Sequence, residues 1–129
     1  MVNSHYNIRS QTLIKANKIP GVKLWPNPVG LGYAGSVAHE YNEGGNHFVV
    51  LKNPRRVRYG FAPGSSDCIG FRRESHNGAV MPRFVAIEIK AGKDVLRPAQ
   101  GNFLKMVKNH GGIAEIVRNP DEVMDILQR

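Results

Sequence analysis

Asp67, Glu88 and Lys90 are the three side chains whose types and spacing could do chemistry together. Glu88 and Lys90 close the stretch Arg83-Phe84-Val85-Ala86-Ile87-Glu88-Ile89-Lys90, which alternates like a strand. Val85, Ile87 and Ile89 share one face, and Phe84, Ala86, Glu88 and Lys90 share the other. Both faces begin apolar, as in a strand covered on both sides, and charge enters only at the exit. A carboxylate and an ammonium are costly in such a place. Asp67 follows the turn Pro63-Gly64-Ser65-Ser66 and opens a short strand, 67–71. If these two strands are antiparallel neighbours, the start of one lies beside the end of the other, and Asp67 meets Glu88 and Lys90. Two carboxylates aimed at one point repel each other unless a cation joins them, and hard oxygens suit Mg²⁺ or Mn²⁺. Such a metal stabilises the charge that develops on a phosphate under attack. Lys90 would hold the water or the phosphate and assist proton transfer. Spacing alone fits an ordinary ion pair between Glu88 and a nearby cation equally well, so both readings stand at this point.

The remaining elements are those that must position these groups. Ser4 caps a helix over residues 4–17 whose apolar side is Tyr6, Ile8, Leu13, Ile14 and Ala16. A short strand, 22–25, is ended by Pro26 and Pro28. Strands are expected at 48–51 and 57–61, separated by Asn53-Pro54, and a hairpin connection over 72–81 contains Asn77-Gly78. A polar loop, 91–96, leads to a helix from Pro98 to about His110, then a strand at 113–117. Asn119-Pro120-Asp121-Glu122 starts a last helix packed by Val123, Ile126 and Leu127. Strands alternating with helices predict one α/β domain spanning residues 1–129, with a mixed sheet.

Composition sets the partner class. Eighteen Lys and Arg against ten Asp and Glu give 129 residues a net charge of +8, which points to a polyanion, most often nucleic acid. Arg55-Arg56-Val57-Arg58 is the densest basic cluster and reads either as a solvated strand edge or as a strip that contacts phosphates. Arg55, Arg56, Arg58 and Lys93 are the candidate DNA contacts. A single cysteine, Cys68, excludes an intrachain disulfide framework and reads as a small core residue. No run is long enough to span a membrane and no signal-peptide core is present, so the expectation is a soluble cytoplasmic protein with no membrane partner.

Two motif-like stretches lack their context. Gly30-Leu31-Gly32-Tyr33-Ala34-Gly35 spells a dinucleotide-binding pattern, but a proline-broken segment precedes it and no doubly wound alternation follows, so it reads as a flexible connection. His39-Glu40 begins like a zinc-protease helix, yet Glu43 stands at the second ligand position, and residues 37–43 read as a helical turn. His5, His47, His76 and His110 show no ligand spacing and read as surface or packing residues.

Val57-Arg58-Tyr59-Gly60, Pro63-Gly64-Ser65-Ser66-Asp67-Cys68-Ile69-Gly70 and Phe84-Val85-Ala86-Ile87-Glu88-Ile89-Lys90 together resemble the VRR-NUC (virus-type replication-repair nuclease) family of the PD-(D/E)xK nuclease superfamily. The likeness continues through Leu96-x-Pro98-x-Gln100-x-x-Phe103-Leu104 and Gly111-Gly112-Ile113-Ala114 to Asp121-Glu122-Val123, and Trp25-Pro26-Asn27-Pro28-Val29-Gly30 looks like the family's segment before the sheet. The resemblance implies a restriction-endonuclease-like α/β/α core and cleavage of DNA that depends on Mg²⁺ or Mn²⁺. It makes Asp67 and Glu88 metal ligands, Lys90 the catalytic lysine and Gln100 the polar residue of the following helix. Ser66 stands where the superfamily often has proline. The family often carries a glutamate on its first helix, whereas residues 1–39 contain no Asp or Glu. Asn7 or Gln11, or Glu40 reaching in, is expected to fill that place.

Small free-standing members resemble homodimeric resolvases of four-way DNA junctions, where two sites related by a twofold axis make paired nicks. The expectation is therefore a homodimeric endonuclease selective for branched DNA. Its alternatives are a flap, end or general duplex nuclease, or a non-catalytic nucleic-acid-binding module.

Overall fold

A computed structural model describes residues 4–129. Among them the chain runs α1 (His5–Ala16), β1 (Val22–Pro26), β2 (Gly30–Glu43), β3 (Asn46–Tyr59), β4 (Cys68–His76), β5 (Ala79–Ile89), α2 (Pro98–Asn109), β6 (Ile113–Val117) and α3 (Glu122–Leu127). The strands form two sheets: a four-stranded one in the order β1-β4-β5-β6, and a two-stranded one of β2 and β3. In the larger sheet β4 is antiparallel to both β1 and β5, while β6 is parallel to β5. The parallel pair needs a crossover, and α2 supplies it.

The alternation of β5 divides the core into two. Val85, Ile87 and Ile89 face α1 and α3, where they meet Ile8, Ala16, Val123 and Leu127. Ala86, on the opposite face, packs with Ile69, Ala114 and the α2 residues Leu104 and Val107. The mixed α/β architecture is the expected one, with helices on both faces of the sheet. Each such buried aliphatic side chain contributes about 1.5–3 kcal/mol, so β5 is fixed from both sides up to the point where its charges begin. Close packing extends to β1, because a Cβ at Gly70 would overlap the carbonyl oxygen of Lys23.

Several boundaries differ from those expected. Residues 30–35 are not a flexible connection and 37–43 are not a helical turn; both belong to β2. The expected strand 48–51 and residues 57–59 of the expected strand 57–61 belong to one strand, β3, which ends at Tyr59, so that β2 and β3 form a long ribbon of two 14-residue strands. Gly44-Gly45 closes the ribbon with φ of 58° and 79°, the double positive φ of a tight hairpin turn. Asn53-Pro54 does not break β3. The register shifts between Ala34 and Ser36, opposite Asn53 and Pro54, and a bulge there absorbs the missing proline donor. The two-residue turn Asn77-Gly78, with φ of 50° and 84°, likewise leaves most of the expected connection 72–81 inside β4 and β5.

α1 buries Ile8, Thr12 and Ala16, one turn apart, while Tyr6 and Ile14 of its expected apolar side are exposed. Ser4 caps it by accepting the Asn7 backbone N–H at 3.1 Å. α3 starts at Glu122, later than expected, and Asn119 caps the preceding turn by accepting the Asp121 backbone N–H at 3.0 Å. Among the described residues no helix is long and apolar enough to cross a membrane.

Candidate active site

Cys68 lies opposite Ile87 in the antiparallel pairing of β4 and β5, so Asp67, just before β4, comes level with Glu88. Its carboxylate Oδ2 accepts the backbone N–H of Ile89 at 2.8 Å, and its carbonyl accepts that of Asn27 at 2.6 Å. Asp67 is therefore tied to the strand on each side. The turn before it is equally constrained. Gly64 has φ of 84°, and a Cβ there would press on the backbone of Ala99 in α2, so only glycine lets the turn approach the helix.

Asn27, which the sequence reading did not single out, organises this turn. Its Nδ2 donates to Ser65 Oγ and to the Ser66 carbonyl, both at 2.9 Å, and its Oδ1 accepts the Phe61 backbone N–H at 3.1 Å. An asparagine buried to this degree must find such partners. Its signs in the sequence are its place between Pro26 and Pro28, where the strand must end, and its position in the Trp25–Gly30 segment that resembles the family's.

Glu88 and Lys90 are both buried, 2% and 6% exposed. Gln100, on the first turn of α2, joins them: its Nε2 donates to Glu88 Oε1 at 3.1 Å, and its Oε1 accepts from Lys90 Nζ at 2.8 Å. The same Oε1 accepts the Arg97 backbone N–H at 2.9 Å, which fixes the amide on the helix start. Lys90 Nζ is 4.0 Å from Glu88 Oε1. Asp67, Glu88, Lys90 and Gln100 are thus brought together, as expected.

Burial first, and then the Asp67 carboxylate, push the Glu88 carboxyl up to about 8, and the Lys90 ammonium does not offset them. Glu88 Oε2 is buried without a hydrogen-bond partner among the described residues. Two adjacent carboxylates, one with a buried oxygen left over, fit a hard divalent cation. Among the described residues no three His, Cys, Asp or Glu side chains are already gathered about one point, so the carboxylate pair would be the core of such a site. Cys68, next in sequence, is fully buried and its thiol is pushed up to about 12 by that burial, which leaves it inert.

The α1 residue that reaches Asp67 is neither Asn7 nor Gln11. His5, the first residue of α1, puts Nε2 3.4 Å from Asp67 Oδ2. Asn7 and Gln11 are exposed, and Glu40 lies out on the ribbon, paired with His47 at 2.8 Å. His5 is partly exposed, as its isolated position suggested, but its ring reaches Asp67, a contact that no spacing signal could have found.

The candidate DNA contacts are divided between two places. Arg55, Arg56 and Arg58 stand on β3, opposite Ala34, Tyr33 and Leu31, and have no carboxylate partner among the described residues. Arg56 lies over the Tyr33 ring, 5.9 Å from its centroid. Lys93 is exposed in the turn that follows Lys90, a loop that Arg118 holds by donating to the carbonyls of Gly92 at 3.3 Å and Asp94 at 2.9 Å.

The family model of the VRR-NUC domain matches residues 48–120, more than half of the chain and the part that carries all four of the gathered side chains. The chain belongs to the VRR-NUC family. This makes it a nuclease by family, a hydrolase with DNA as its substrate. A comparison with curated proteins finds no match. The VRR-NUC match begins after β1 and α1, so Asn27 and His5 are contributions to the site that lie outside it.

Proposed function

We propose that this VRR-NUC protein is a divalent-metal-dependent endodeoxyribonuclease with a restriction-endonuclease-like core, one nuclease unit over residues 1–129, acting as a homodimer on branched DNA such as four-way junctions. The observation that carries the catalytic part is the buried Glu88, its Oε2 unpartnered and its carboxyl raised beside Asp67, with Lys90 and Gln100 alongside. Asp67 and Glu88 would hold Mg²⁺ or Mn²⁺, with His5 directed at Asp67 Oδ2. When bound, the cation supplies Lewis-acid stabilisation of the charge that develops on the phosphate. Lys90 binds a phosphate oxygen or orients the attacking water through its ammonium protons. Gln100 keeps Glu88 and Lys90 in register by accepting from one and donating to the other.

Arg55, Arg56 and Arg58 at the base of the ribbon, and Lys93 beside the site, are assigned to phosphates. A two-stranded ribbon about 45 Å long, at roughly 3.3 Å per residue, has the form that a DNA groove admits. The homodimer is supported by the far half of the same ribbon. Val37, Phe48, Val49 and Val50 are exposed there, and a two-stranded hairpin without a covering layer is marginal in water. Packing of this half on a second copy would cover it and set two sites about a twofold axis.

Cleavage of a four-way junction, a linear duplex and a flap at equal concentration tests the substrate assignment. Symmetric paired nicks in the junction at least tenfold faster than cuts in the duplex are expected, with a dimer mass in solution. Equal rates on all three, or a monomer at working concentration, would overturn the junction reading.

A further inference from the structure

Beside the site, on the sheet face that carries Glu88, lies an apolar groove that α2 does not cover. It has a volume of about 480 Å³ and is lined by Trp25, Phe61, Phe71, Pro82 and Phe84, with Ile69 at the end nearest Asp67. Its rings stand in two pairs. Trp25 and Phe71 have centroids 6.0 Å apart with planes tilted by 52°, and Phe61 and Phe84 are stacked at 6.2 Å. Trp25 is 50% exposed and Phe61 63%, so ring faces are open to solvent where a small protein ordinarily hides them.

Charge and position select the occupant. Lys23 is paired in register with Phe71, and Arg73 alternates with Phe71 along β4, so both stand on the groove's face. Neither has a carboxylate partner among the described residues, whereas the neighbouring Arg72 and Arg83 share Glu74. An aromatic floor with a cationic rim is the combination that holds unpaired nucleic acid, where rings stack on bases and cations take phosphates. Trp25 is in register with Ile69, two residues from Asp67, which is about 7 Å along the strand. Asn27 hydrogen-bonds both the Phe61 backbone and the turn before Asp67, and so couples the groove's wall to the site. Gly60, with φ of 87°, leaves no room for a Cβ against Pro28 and Val29, and this close approach sets the path of the chain into Phe61.

We propose that this groove is a stacking site for an unpaired nucleobase of the DNA strand that enters the active site. A fully paired duplex keeps its bases inside the stack and cannot fill it. An open branch point or a single-stranded segment can. The inference rests on the nuclease reading for the identity of its ligand but not for its test, which needs no cleavage.

Trp25 is the only tryptophan of the chain, so its emission reports on the groove directly. In EDTA, the full-length protein is titrated with single-stranded oligothymidylate, with a junction bearing unpaired bases at its branch, and with a perfectly paired linear duplex. Anisotropy of a label on the DNA follows binding in parallel. Single strands and the open junction are expected to quench Trp25 by half or more at saturation, and the duplex to leave it unchanged. Phe61→Leu, an exposed change that keeps the surface apolar, should weaken single-strand binding by about tenfold, the lower part of the range for loss of one stacked base. Saturated binding of single strands with unaltered Trp25 emission would overturn the proposal. So would emission that shifts with protein concentration in the absence of DNA, which would assign the groove to a second copy of the chain. Quenching without metal-dependent cutting would retain the stacking site and reject the nuclease assignment.

Discussion

Replacing Lys90 by alanine lowers the rate of phosphodiester cleavage by about 10²–10⁴-fold, the range for loss of a positioned proton-transfer group, and leaves DNA affinity within a few-fold. Affinity survives because the arginines assigned to phosphates lie on β3 and owe nothing to Lys90. The fold survives as well. Without the ammonium, Glu88 is pushed further toward its neutral acid, and a neutral carboxyl in that place needs no cation. Single-turnover cleavage with metal, set beside binding measured in EDTA, separates the two effects. An unchanged cleavage rate would remove Lys90 from the chemistry.

Glu88→Gln abolishes cutting and at the same time stabilises the metal-free protein at alkaline pH. In the folded chain the Glu88 carboxyl titrates at about 8, above its ordinary value of 4.5. The folded state therefore binds its proton more tightly than the unfolded state does. The resulting stability is fully present below about 4.5 and is lost as the pH rises through 8. Metal-free wild type should lose melting temperature between pH 5 and pH 9. The glutamine variant, which has no proton to lose and can still accept from Gln100, should lose less, with an advantage on the order of 1 kcal/mol at pH 9. Added Mg²⁺ or Mn²⁺ reverses the order, because a ligand that binds only the folded state raises its stability and only the wild type offers it the carboxylates of both Asp67 and Glu88. Parallel melting curves across this pH range, with and without metal, would show that Glu88 is an ordinary ion pair with Lys90.

The part of the fold that carries the site was legible because burial and period agree there. β5 alternates cleanly, the Asn77-Gly78 turn forces β4 to run back beside it, and these two facts alone put Asp67 against Glu88. Gln100 was assigned through the family resemblance, and its place on the first turn of α2 follows from Pro98 at the helix start. The ribbon was legible only in part: 48–51 and 57–59 were expected as strand, while the rest of its sequence carries the marks of its opposite. The glycines of Gly30–Gly35 and the pair Asn53-Pro54 look like breakers, yet in a bulged ribbon they are tolerated, and beyond Ala34 the largely exposed strands have no sustained alternation of burial to announce them. His5 and Asn27 were missed for a different reason. His5 acts by one contact made across the fold and Asn27 by several, and contacts of that kind leave no periodic trace.

The central claim is that Asp67 and Glu88 hold a cation that makes this VRR-NUC chain a nuclease. Its most direct test is cleavage of an end-labelled four-way junction by wild type and Asp67→Ala, each with Mg²⁺, with Mn²⁺ and with EDTA. Cuts by wild type with either metal, absent in EDTA and reduced by at least 10³-fold in Asp67→Ala, are predicted on the scale of a lost catalytic metal site. Cutting that persists in EDTA or survives loss of Asp67, or tight binding by wild type with no cutting under either metal, would contradict it.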